Sequence, residues 1–169
     1  MTELSEIGNA AKIGDLDIVK SLFEGKADIN DGGRGMMLTA AFDEDGEQLC
    51  RLKPTTPLFL AAKFGHTDVV CYLADNGAKS IKDVYPAPQF DGAFAWALDE
   101  HGDVKMVDAL LRNKVFGGPV DLSRRLKLSP NTTTDMFQLL IDHGNNPTVD
   151  DIEFAKEMNR DDVVAVFTK

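Results

Sequence analysis

Cysteine, histidine, basic charge and long apolar runs are all scarce in this 169-residue chain, and each scarcity removes a class of function. The two cysteines, Cys50 and Cys71, lack the spacing of a disulfide framework or a zinc motif, and both read as free thiols. The three histidines, His66, His101 and His143, are too far apart along the chain for a local chelate, so no metal is expected. Lysine and arginine number 18 against 28 aspartates and glutamates, a formal net charge of -10, which disfavours nonspecific binding to nucleic acid. No apolar run approaches the roughly 18 residues of a membrane helix. The start, MTELSEIGNAAK, has neither the basic residues nor the apolar stretch of a secretory signal, so the expectation is a cytoplasmic protein with no membrane contact. Asp31-Gly32-Gly33-Arg34-Gly35 and Gly117-Gly118-Pro119 lead into no phosphate-cradling pattern and read as turns.

What is present is short-period order. Residues 56–77, TPLFLAAKFGHTDVVCYLADNG, make a complete helix, turn, helix unit. Thr56 caps a helix that begins at Pro57, where a missing N–H costs nothing. Leu58, Ala61 and Ala62 give that helix one apolar stripe with small residues on it, so another helix can come close. Gly65 ends it. Asp68 falls in the first turn of the next helix, where its charge meets the positive helix end. Val69, Val70 and Leu73 form that helix's stripe before Asn76 and Gly77 stop it. Two helices this short cannot enclose a core, so the unit must stack on copies of itself.

The copies are marked by the second-helix stripe: Ile18, Val19 and Leu22; Val69, Val70 and Leu73; Met106, Val107 and Leu110; Met136, Phe137 and Leu140; Val163, Val164 and Phe167. Gly14, Gly65 and Gly102 close three of the first helices, and Asn159 stands at that place in the last. The last stripe residues are spaced by 51, 37, 30 and 27 residues, an irregular array. On these residues the chain resembles the ankyrin repeat family, whose unit is about 33 residues with a TPLH-x-A signature. The match is strong over residues 4–30 and 56–79, fair over 93–111 and 148–167, and poor over 119–135. The resemblance implies an all-α solenoid of four to five stacked units in a single domain over 1–169. Repeat 1 spans 1–30, a β-hairpin finger 31–55, repeat 2 56–88, repeat 3 89–118, a degenerate repeat 4 119–147 and a capping repeat 148–169. Phe59 stands where the family has a histidine that ties neighbouring turns, and an apolar contact is expected in its place.

The segment from Asp31 to Thr55 fills with 25 residues a connection that the family makes in a handful. Met36–Phe42 and Glu47–Lys53 read as two strands around Asp43-Glu44-Asp45-Gly46, whose Asp-Gly pair tolerates positive φ. A two-residue turn places Glu44 opposite Glu47, and a four-residue turn pairs Phe42 with Glu47; the register is open. Either the apolar residues of the finger lie along the adjacent repeat, or the finger offers Met36, Phe42 and its acidic tip to another protein.

The resemblance further implies a non-enzymatic protein–protein interaction module, an adaptor or scaffold with no cofactor, here expected to be a monomer. In the family's pattern the two residues between the paired alanines and the glycine face the partner. By position these are Lys12 and Ile13, Lys63 and Phe64, Glu100 and His101, then Glu157 and Met158. Phe64 either offers an exposed aromatic anchor or packs over the root of the finger, whereas Trp96, near Phe94 and Leu98, reads as core. The acidic balance suits a basic partner. The alternative function is therefore an acidic inhibitor or antidote that occupies a basic site on an enzyme or nucleic-acid-binding protein. A small enzyme built on Cys71 or the histidines is the remaining rival, although nothing in the sequence marks a lowered thiol pKa. Residues 112–127 are locally basic and 135–162 locally acidic, and the two runs are expected to neutralise each other in part. Leu22, Asp28, Ile29 and Asn30 are similar in spacing to the family's asparagine-hydroxylation motif, which makes Asn30 a candidate for modification.

Overall fold

The computed structural model describes residues 3–42, 48–84, 92–115, 120–129 and 132–169, with the side chains of 35–42, 48–53 and Lys82 outside that description. Helices follow one another in pairs: α1 (Glu6–Ile13) with α2 (Leu16–Glu24), and α3 (Pro57–Lys63) with α4 (Thr67–Asp75). After the single turn α5 (Ile81–Val84), α6 (Gly92–Ala95) runs into a π-helical turn, Trp96–His101, and pairs with α7 (Val104–Arg112). Then come α8 (Leu122–Leu128) with α9 (Thr134–Asp142), and α10 (Val149–Glu157) with α11 (Asp161–Phe167). First helices pack on first helices and second on second: α1 on α3, α3 on α6, α8 on α10, and α2, α4, α7, α9 and α11 in succession. The fold is an all-α solenoid with a β-hairpin inserted after the first pair.

Small residues hold the first helices close, with Ala11, Ala62, Ala97 and Ala155 fully buried. The second helices fill the seam behind them with Val19, Val70, Val107, Phe137 and Val163. Ile18 departs from the expected stripe and is exposed, because α2 belongs to the terminal pair and has a neighbour on one side only. Where the repeat signature is poorest a helix pair still forms. Its local signals survive: Asp121 accepts from the Arg124 N–H, Thr133 from the Met136 N–H, and Leu122 and Leu126 supply the buried stripe of α8.

The inserted hairpin pairs with a short strand that precedes α1, giving a three-stranded antiparallel sheet in the order β1 (Glu3–Leu4), β2 (Gly33–Phe42), β3 (Gln48–Pro54). The sequence gives no sign of β1, which is too short to show alternation. The strands of the finger also reach further toward the root than expected, so Gly33, Arg34 and Gly35 of the glycine-rich turn at Asp31–Gly35 are strand. Pairing runs from Arg34↔Pro54 to Leu38↔Cys50 and resumes at Phe42↔Gln48, so β2 bulges by two residues relative to β3. Phe42 thus faces Gln48 and not Glu47, a register that neither turn length considered above produces. The acidic tip (Asp43, Glu44, Asp45 and Glu47) and the turn at Gly117-Gly118-Pro119 lie outside the described residues.

The root of the finger is clamped backbone to backbone. Ser5 Oγ donates to the Asp31 carbonyl at 2.5 Å, Gly32 N to Thr55 O at 3.1 Å and Thr55 N to Gly33 O at 3.0 Å. A Cβ on Gly8 would sit 2.4 Å from Gly32 O, so helix α1 and the loop meet with no room for a side chain between them. The apolar contact expected of Phe59 is present: its ring is buried against Gly92, where an added Cβ would lie 2.1 Å from the ring edge.

Although α8 packs on α10, no ion pair among the described residues joins the basic run to the acidic one. Arg112 pairs with Asp75 of the preceding repeat at 3.0 Å and with Asp108 of its own helix at 3.1 Å, and the buried Arg125 pairs with Asp99 of the preceding repeat. Stacked second helices bring together residues one repeat apart, so a charge meets the repeat before it. Within the acidic run Arg160 pairs with Asp162 at 2.7 Å. Asp151 does join the two segments, through its helix-capping bonds. It accepts from Ser123 N at 2.9 Å and Ser123 Oγ at 2.5 Å in α8, and from Thr148 N and Oγ1 at 2.8 and 2.7 Å at the start of α10. Burial works to raise its pKa, but these donors outweigh it and hold the carboxyl below its ordinary 3.8.

Two outcomes follow for stability. Gly92→Ala should cost about 1–3 kcal/mol in chemical denaturation, since the Phe59 ring must move, and Phe59→Leu in the same chain should recover part of the loss. Asp151→Asn should cost about 2 kcal/mol at pH 7. The folded-state pKa of Asp151 is depressed, so its contribution is present above the unfolded value and lost as pH falls through the folded one; the denaturation curves of wild type and variant should converge in acid.

Candidate binding face

Helix C-termini leave their last carbonyls without partners, and here the next repeat supplies them. The carbonyl of Lys12, near the end of α1, lies 2.8 Å from His66 Nε2, and that of Lys63, at the end of α3, lies 3.3 Å from His101 Nε2. A carbonyl can only accept, so Nε2 carries the proton in both imidazoles. Each ring covers the glycine that ends the previous first helix. At Gly14, φ is +81° and a Cβ would approach His66 Nδ1 to 2.5 Å, so both backbone and space require glycine.

His66 follows its glycine while His101 precedes Gly102, yet both reach a lysine carbonyl at the same repeat position. The π turn explains this. Between the buried pair and the glycine there are two residues after Ala10-Ala11, two after Ala61-Ala62, but three after Ala97-Leu98. The π turn absorbs the extra residue inside the helix. Of the three, Asp99 turns to Arg125 of the fourth pair, while Glu100 and His101 remain at the exposed helix end where the sequence places them.

The face built on these ends is aromatic and cationic. Phe64 is 44% exposed, with Lys12 Nζ 5.7 Å and Lys63 Nζ 5.8 Å from its ring centroid. Lys63 Nζ also lies 5.8 Å from the centroid of Trp96, whose ring is 6.4 Å from that of His101. Trp96 packs on the core, as its helical spacing suggests, but one face reaches this surface. Ile13 is 67% exposed beside them. Lys12, Ile13, Lys63, Phe64 and His101 therefore stand together on the ends of the first three first helices. Met36 and Phe42 belong to β2, with side chains outside the description. Sequence spacing alone misses Leu128, which is 60% exposed at the end of α8. The signal for it was the stripe Leu122, Arg125 and Leu126 immediately before it.

Turning to the family, the model for ankyrin repeats (three copies) matches residues 7–121. The chain belongs to the ankyrin repeat family. No curated protein matches it. Ankyrin repeats in general are protein–protein interaction modules, and the family is typically non-enzymatic.

Other polar side chains of the ankyrin array are engaged in structure. Asn30 Oδ1 accepts from Lys79 N at 2.8 Å, which links the turn after the first repeat to the turn after the second, and Asn145 Oδ1 does the same for Val120 N at 2.6 Å. Asp103 caps α7 and also accepts from the Thr67 hydroxyl, and Lys105 bonds Asp68 at 2.8 Å across the same groove, which holds the Asp68 carboxyl below its ordinary range. Among the described residues, no group of three histidine, cysteine, aspartate or glutamate side chains is placed to hold a metal, and no helix is long and apolar enough to cross a membrane.

Cys71 is half-buried on α4, and burial is the main cause that pushes its thiol pKa up. A raised pKa leaves less thiolate at neutral pH. Alkylation by iodoacetamide at pH 7, followed by mass spectrometry, should modify Cys71 more slowly than free glutathione.

Proposed function

We propose that the chain is a non-enzymatic module that holds a protein partner on the ends of its first helices, with Phe64 as the central anchor and Lys12, Ile13, Lys63, Glu100 and His101 around it. The observation that carries this reading is an aromatic ring left 44% exposed between two lysine ammonium groups, at the repeat position that faces partners. Rings of this kind at the centre of an interface contribute about 2 kcal/mol or more. The finger, with Met36 and Phe42, supplies a second contact region in this reading.

A second reading is favoured by the terminal repeat. Asp150, Glu153, Glu157 and Asp161 form no ion pair among the described residues, which suits an inhibitor that covers a basic site. The two readings differ in the surface used and in sensitivity to salt.

Partner capture from source-cell lysate, followed by titration of the purified partner, separates them. Phe64→Ala should weaken the complex by about 2 kcal/mol, roughly thirtyfold, with the thermal melt unchanged. Binding that ignores Phe64→Ala but falls steeply with added salt and on Glu153→Lys would place the partner on the acidic repeat.

A further inference from the structure

Each first helix ends, at its last residue or C-cap, in an exposed side chain: Ile13, Phe64, His101, Leu128 and Met158. Among the described residues six large apolar side chains are exposed, and four of them fall on this one register; only Ile18 and Val149 stand elsewhere. Four of six on one position of the repeat mark a row that runs across the helices, apolar at the first two and last two positions and interrupted by His101 at the third. The residues before them are Lys12, Lys63, Glu100, Lys127 and Glu157. None of those three lysines pairs with a carboxylate among the described residues, although the chain carries ten more acidic than basic residues. Lys12 and Lys63 are instead held over the Phe64 ring, with their remaining N–H donors free for a ligand.

Helices in contact lie about 8–10 Å apart, so the row offers one side chain roughly every 9 Å, with apolar neighbours at Ile13 and Phe64 on the packed helices α1 and α3. A polyproline-II strand advances about 3.1 Å per residue with three residues per turn, which returns a side chain to the same face about every 9 Å. A β-strand returns one about every 7 Å, and falls out of step. An α-helix, about 10–12 Å across, needs a broader apolar trough than a row one side chain wide with charges beside it.

We infer that this row takes an acidic segment of the partner in polyproline-II form, with an apolar residue at every third position over Ile13 and Phe64 and its carboxylates on Lys12 and Lys63. The inference rests on the binding reading above and adds the chemistry of the partner. Leu128 and Met158 lie beyond His101 at the same register.

The test uses the full chain and a synthetic peptide library with leucine fixed at every third position and the others drawn from glutamate, lysine, proline and serine. Peptides retained by the immobilised protein should be enriched in glutamate over lysine by at least tenfold, and the best of them should lose at least tenfold in affinity on Phe64→Ala. Lys63→Glu, with its fold checked by circular dichroism, should reverse the preference toward lysine. Retention of lysine-rich or neutral peptides, an empty selection, or a preference that Lys63→Glu leaves unchanged overturns the inference. A lysine-rich peptide that still depends on Phe64 overturns the acidic segment alone and leaves the binding reading standing.

Discussion

A pair of helices of seven to nine residues has more apolar surface than it can cover by itself, and every other feature of this molecule answers to that shortage. Each pair borrows its missing wall from the next. The alanines of the first helices allow backbones to approach, the valines and leucines of the second helices fill the space behind, and the polar ties go to the places where packing alone leaves backbone groups bare. The imidazoles on the Lys12 and Lys63 carbonyls, the carboxamide of Asn30 on Lys79, and Asp151 shared between two helix starts are three solutions to one requirement, that a helix end at a repeat junction must find its partner in another repeat.

The parts of the fold that are local in cause were legible in the sequence. Thr56 and Pro57 start a helix and Asn76 and Gly77 stop one through interactions within four residues, so they can be read without knowing any neighbour. The finger was legible for the same reason, from two strand-forming runs around an Asp-Gly pair. What escaped was set by partners distant in sequence. β1 exists only because Gly33 and Arg34 come alongside it, the Phe42 register depends on a bulge, and the extra residue in the third first helix becomes visible only when a π turn is needed to keep His101 on the Lys63 carbonyl. The repeat register alone locates Phe64 and its neighbours at the helix ends. The electrostatic character of that face was not legible, since net charge averages over a surface on which lysines and carboxylates are sorted.

That sorting has a structural origin. Arg112, Arg125 and Lys105 are consumed by carboxylates of the preceding repeat, along the sides of the stack. Lys12 and Lys63 at the helix ends have aromatic rings within reach and, among the described residues, no ion pair with an acid. An overall acidic molecule thus presents a locally basic, aromatic strip, and the two can serve different contacts. A long-range repulsion of other acidic proteins and a short-range welcome for a chosen acidic segment are compatible, because the field of the whole fades with salt while contact pairs persist.

The base of the finger is closely fitted to the first repeat. Gly8, Gly32 and Thr55 touch through main-chain atoms, with bonds from Ser5 closing the seam, so the direction in which the strands leave the stack is set before any residue of the tip is specified. Aim and cargo are thereby uncoupled. Substitutions beyond the root can change the chemistry that the finger carries without touching the contacts that fix where its strands leave the stack.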